Sequence, residues 1–202
     1  MTAPGLRERK KQRTRQALVD AAMRLFDQQG YDKTSVAEIA AAADVSTRTF
    51  FTHFPSKDDV FFASSDEGIE AALVVVAARA GDGEPLDVLV QAVERMSVAH
   101  SAALAQATDY GPLRLRLLNS VPALRARALH RLADAQQLLA DALQDAYPDR
   151  IDRVTASAAV GALLGAVIST TMSGLAAHEP DLPAALHRAI NVAVEGLAAT
   201  LN

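Results

Sequence analysis

Six basic side chains crowd into residues 7–15, namely Arg7, Arg9, Lys10, Lys11, Arg13 and Arg15, against a single Glu8. So dense a run suits a polyanion, although a solvated, frayed helix start would carry the same residues. Further along, Ser46, Thr47, Arg48 and Thr49 set three hydroxyls and a guanidinium in consecutive positions. A guanidinium can donate two hydrogen bonds to a guanine in the major groove, or it can hold a phosphate and so position the protein without specifying sequence. Catalytic chemistry has no comparable constellation here. The five histidines, at 53, 100, 130, 178 and 187, form no H-E-x-x-H pair, no Gly-rich phosphate loop precedes a helix, and no G-x-S-x-G turn occurs. Cysteine is absent, which removes disulfides, thiolate zinc sites and cysteine nucleophiles together. The expectation is a protein that is not an enzyme and that needs neither metal nor cofactor.

Charge is divided unevenly along the 202 residues. The whole chain carries −4, but residues 1–60 carry +2 and the remainder −6. Only one end suits a polyanion, which argues against a protein that coats nucleic acid over its whole surface. The start reads Thr2, Ala3, Pro4, Gly5 and then the basic run, with no apolar stretch of the signal-peptide kind, so a cytoplasmic location is expected.

These residues must be held by helices. Half the chain is hydrophobic but only 4% is aromatic, a composition of Ala, Leu and Val that favours helix over sheet. Ala17, Leu18, Ala21, Ala22, Leu25 and Phe26 form one stripe of an amphipathic helix ending at Gly30. Ser35 with Glu38 has the form of a capping box opening a short helix over 36–43. Asp44 and Val45 make a turn, Ser46 caps a second short helix over 47–53, and Pro55 stops it. Two such short helices, joined by a tight turn and preceded by a basic helix, make the helix-turn-helix pattern. Thr47, Arg48 and Thr49 would then enter the major groove, with Ser46 and the helix amino terminus facing phosphate. Helices follow at about 57–79, 85–107, a short piece to 119, then 122–146, 151–177 and 183–201. The expected fold class is all-α with about nine helices, divided into a DNA-binding domain at 1–55 and a helical ligand-binding and dimerisation domain at 56–202.

The amino-terminal quarter resembles the TetR family of bacterial regulators. The resemblance rests on Ala21, Leu25 and Phe26, on Gly30-Tyr31, on Thr34-Ser35-Val36 with Ile39-Ala40, and on Ala42-Ala43-Asp44-Val45-Ser46. It continues through Thr49-Phe50-Phe51, His53-Phe54 and Ser56-Lys57-Asp58. Two positions depart from the family pattern. Asp44 stands where a turn glycine is usual, and Phe51 replaces a tyrosine whose hydroxyl holds a phosphate. The resemblance implies phosphate clamps at Thr34 or Ser35, at His53 and at Lys57, although the hydroxyls could simply cap, His53 could pack and Lys57 could be solvated.

The carboxyl-terminal body is expected to dimerise. Residues 154–177 carry no charge, long enough for a membrane span, but Ala, Gly, Ser and Thr dominate and no aromatic belt is present. A helix buried in a protein interface fits better than a membrane, although a core helix of one chain has the same pattern. Gly161, Gly165 and Ser169, four apart, would let another helix approach closely. The resemblance adds Ile190 and Val194 of the last helix to a four-helix homodimer interface, whose two-fold axis suits a palindromic operator in double-stranded DNA. It also implies a small-molecule effector, for which His100, Asp109, Tyr110, Arg114, Arg116, Asn119 and His130 are the polar candidates. Effector binding would shift the dimer toward a conformation with weaker DNA affinity.

Overall fold

The structure, a computed structural model, describes residues 5–106, 110–177, 179 and 181–201, with the backbone alone at 8, 99–106, 175 and 197–201. It is helical throughout, without strands among the described residues, and the backbone forms two compact units that meet at Ala63 and Ser64.

The first unit is built from α1 (Leu6–Gln29), α2 (Val36–Ala42), α3 (Thr47–His53) and α4 (Lys57–Phe61). Leu18, Ala22, Met23 and Phe26 of α1 are fully buried, and Ile39, Phe50, Phe54 and Val60 close the core against them. The buried stripe is broader than the sequence pattern implied, since Val19 and Met23 join it while Ala17 is exposed. Gly30 ends α1 at φ 88° and ψ 157°, a region that only glycine enters without strain. Ser35 and Glu38 form the expected capping box. Asp44 stands at φ 55°, a left-handed conformation that Asp tolerates better than most residues because its short side chain bonds locally.

The expected single helix over 57–79 is two, α4 and α5 (Ala63–Ala78), parted at Phe62. Successive side chains on a helix point 100° apart, so an unbroken helix cannot turn a long run of neighbours into one core. Residues 59–64 are all buried, and the break lets Phe61 and Phe62 both turn inward, their rings 4.8 Å apart and edge to face. The first unit thus ends at Ala63 and not at 55, because α4 packs on α1.

The second unit comprises most of α5, then α6 (Pro85–Gln106), α7 (Gly111–Ser120), α8 (Pro122–Ala146), α9 (Arg153–Ala177) and α10 (Leu182–Leu201). Its core gathers Val76, Leu89, Val93, Leu139, Leu143, Val160, Leu163 and Ile190. Tyr147 is buried at the end of α8, its hydroxyl 2.9 Å from the Arg79 carbonyl, which ties that end of the bundle to the 79–82 turn. By length and composition α9 could cross a membrane, with mean hydropathy 1.6 over Arg153–Gly174. Its Ala156, Val160, Leu163 and Val167 nonetheless complete the core against α8 and α10.

Candidate nucleic-acid interface

The face of α3 divides cleanly. Phe50 is fully buried, and it anchors the helix through ring contacts with Phe51 and Phe54. Thr47, Arg48, Phe51 and Thr52 point outward. Phe51 is 57% exposed beside them. Arg48 makes no ion pair with any described residue, and its carbonyl accepts from Thr52 Oγ1 at 3.0 Å. Ser46 caps α3, its Oγ accepting from Thr49 N at 3.1 Å and lying 2.9 Å from Thr49 Oγ1. Both hydroxyls are therefore already occupied in holding the first turn, and Thr49 is half-buried.

The expected clamps at the other helix ends prove to have structural duties. Thr34 is only 2% exposed, and its hydroxyl donates to the Gly30 carbonyl at 2.8 Å, so it offers nothing to a surface anion. Ser35 is exposed, but its amide and hydroxyl both donate to Glu38 Oε2, at 2.8 and 2.7 Å. Those bonds, with one from Gln29, hold the Glu38 carboxyl below its usual pKa. The chain itself thus supplies the anion for this helix start. Lys57 is half-buried and turned inward, donating to the carbonyls of Tyr31 at 2.9 Å and Thr34 at 3.2 Å. Its ammonium also lies 4.2 Å from the Tyr31 ring centre, and Tyr31 donates to Asp58. Burial and this carboxylate push the Tyr31 phenol well above its usual pKa. Sequence reasoning missed this cluster because its members are 26 and 27 residues apart.

His53 is half-buried at the end of α3. Burial first, then the charges of Arg15 and Lys11, hold its imidazole below the ordinary pKa. Arg15 stacks over Phe54 at 4.4 Å and donates to the Ala63 carbonyl at 3.3 Å. Thr14 and Thr52, to which the sequence pattern assigned no role, stand near His53 and the basic side chains of α1. The signal was present, since Arg7, Lys10, Lys11 and Thr14 follow the helical spacing of a single face.

In the second unit the effector candidates scatter. Asn119 and His130 are exposed, as is Arg116, and Tyr110 is half-buried ahead of α7. Arg114 alone turns inward, and burial lowers its pKa to about 10. The His100 side chain and Asp109 lie outside the described residues. Of the dimer candidates, Gly165 and Ser169 are exposed, and Gly161 is half-buried with Gln136 at 3.8 Å from where a Cβ would sit. Ile190 is 2% exposed and so belongs to the interior of its own chain, while Val194 is half-buried with part of its side chain packed on the same core. Leu186, Ile190 and Val194 recur every four residues along the inward face of α10.

A three-helix core carrying a capped third helix with an exposed arginine is a helix-turn-helix unit. The model of bacterial regulatory proteins of the tetR family matches residues 18–64, and that of the MftR C-terminal domain matches residues 84–198. The chain belongs to the TetR family of bacterial regulatory proteins. It is 37% identical over 147 residues to the HTH-type transcriptional regulator TcmR of Streptomyces glaucescens, an alignment covering 68% of this chain and 62% of that regulator's length. The fatty acid degradation regulator FadR of Bacillus halodurans shares the fold, with a TM-score of 0.57 at 20% identity over 97% of this chain and 98% of that one. FadR of Thermus thermophilus, a TetR-family transcriptional repressor in complex with lauroyl-CoA, is 25% identical, with a TM-score of 0.54 over 90% of this chain and 94% of that one.

Proposed function

We propose that the chain is a cytoplasmic, homodimeric transcriptional repressor that reads a palindromic operator in double-stranded DNA and releases it on binding a small-molecule effector. The outward face of α3 carries this reading, with Arg48 unpaired and Phe51 uncovered on a helix that Phe50 fixes from behind. Arg48 reads a base, and Phe51 packs on the sugar-phosphate edge in place of a hydroxyl contact. The first unit makes the DNA contacts, and the second unit takes the effector and the second copy. Dimerisation is supported by the outward face of α9, where Val154, Ala158, Gly165, Ser169 and Met172 are exposed and uncharged. Val192 of α10, 72% exposed, extends the same kind of surface. The Thermus FadR complex supports an effector of small-molecule type.

Selection of bound fragments from a random duplex pool with the full chain tests the reading. A palindromic consensus is expected, with a dimer in sedimentation equilibrium. Recovery of no preferred sequence would remove the regulator assignment. Lauroyl-CoA is a first effector probe, and loss of operator affinity in its presence is the expected sign of release.

A further inference from the structure

Charge divides α8 at its middle. Residues 122–133 carry Arg125, Arg127, His130 and Arg131 and no carboxylate, while 134–146 carry Asp134, Asp141 and Asp145 and no base. The helix dipole favours the opposite order, with acids at the amino end and bases at the carboxyl end. Neither end of α8 has its favoured charge. An order that the helix itself disfavours points to a partner outside it. Two of the bases are occupied within the chain, Arg131 by Asp66 of α5 and Arg125 by the carbonyls of Leu118 and Asn119 at the end of α7. Arg127 and His130 are exposed instead, and they share one outward stripe with Asp134, Leu138, Asp141 and Asp145, at spacings of three and four. At 100° per residue the whole stripe falls within about 80° of arc. Asp141 is half-buried and meets Arg153 at 3.6 Å, in a pair open to solvent. Asp145 is exposed and makes no ion pair among the described residues. Leu138, 52% exposed, stands between the basic and acidic ends.

We propose that this stripe is a second homotypic interface, in which the α8 helices of two copies lie antiparallel about a two-fold axis near Gln136. The register follows from the spacing, since 127 and 145 stand equally far from 136 on either side and 130 and 141 nearly so. Arg127 of each copy then meets Asp145 of the other, and His130 meets Asp141. Asp134 meets Leu138 rather than a second carboxylate. The two-fold axis makes each contact twice, so the two Arg–Asp pairs lie about 27 Å apart along the helices, at 1.5 Å per residue. A parallel pairing would set like charges together. A partner of one sign throughout, such as DNA, would meet repulsion along half of the stripe. The contact stands apart from the outward face of α9, which is uncharged from Val154 to Met172. One helix length of contact is smaller than a standard interface and its charges are exposed, so the association is weak and salt-sensitive.

Sedimentation velocity of the full chain without DNA, at about 0.05 and about 0.5 M salt, tests the pairing. At low salt a species of twice the high-salt mass is expected to grow with protein concentration. Arg127→Glu alone and Asp145→Arg alone should each abolish it, because each sets like charges opposite one another. The double variant should restore it, and so should an equimolar mixture of the two single variants, a recovery that a merely structural role for either residue would not produce. Both positions are exposed, and a native circular dichroism spectrum is expected for each variant. Equal masses at the two salts, or no recovery in either the double variant or the mixture, overturns the pairing. Lost duplex affinity in Arg127→Glu with no change in mass overturns it too, and assigns the basic end to DNA. Gly165→Leu separates this contact from the α9 interface, since the salt-sensitive step should survive it. A wild-type chain that is monomeric at high salt yet doubles in mass at low salt would overturn the α9 dimer and support the α8 pairing.

Discussion

Lys57→Met separates a residue that holds the fold from one that holds DNA. The substitution keeps the aliphatic stem and removes only the ammonium. That group donates to the Tyr31 and Thr34 carbonyls at 2.9 and 3.2 Å, and both residues are buried, at 6% and 2% exposure. A hydrogen bond from a charged donor contributes about 1.5–3 kcal/mol, and a buried carbonyl left without a partner costs about the same. Lys57 is half-buried, so water can replace part of the loss. The lower figure for each bond, with about 0.5 kcal/mol for the Tyr31 ring contact, gives about 3.5 kcal/mol, which replacement by water lowers to roughly 2–3 kcal/mol. The loss falls on the segment joining α1 to α2. Amide hydrogen exchange across residues 31–43 of the full chain reads it directly, and acceleration by about 30- to 150-fold is expected in the regime where exchange follows local stability. Operator affinity should fall only as far as the folded fraction falls. Unchanged exchange with a reduced salt slope of binding would refute this reasoning and return Lys57 to the role of phosphate clamp.

Four further outcomes follow from the same geometry. Asp44→Ala, at φ 55°, should destabilise the first unit by about 1 kcal/mol while Asp44→Asn stays near neutral, as read from urea midpoints. Phe50→Ala should cost about 3–5 kcal/mol because it empties a fully buried site, whereas Phe51→Ala should leave the melting temperature within a degree or two and weaken DNA binding. The Glu38 carboxyl is held below its ordinary pKa of 4.5, so its contribution is fully present above that value and is lost as pH falls through the lower folded one; exchange protection of α2 should drop across this window in wild type and be flat in Glu38→Gln. Gly165→Leu should leave the fold of the chain unchanged, since nothing lies within 4 Å of the added Cβ, but shift sedimentation from dimer to monomer; a persistent dimer would place the interface elsewhere.

Apart from the break at Phe62, most helix ends were legible in the sequence because they are set by bonds a few residues long. Ser35 with Glu38, Ser46 with Thr49 and Ser56 with Asp59 each cap three residues ahead, and Gly30 stops α1 through its own backbone. The same locality made the helix-turn-helix unit and its outward Arg48 readable before any packing was known. Which way a side chain turns was decided only by the tertiary structure. Thr34 and Lys57 look like surface donors along the chain, yet the α1–α2 connection and α4 close around them. Ile190 looks like an interface residue until α10 lays its inward face on α9 and α6. Beyond Arg153, α9 is uncharged and has no strong polar side in its sequence to show which face meets its own chain. That choice is made by competition among neighbouring helices for apolar area, which no local spacing records.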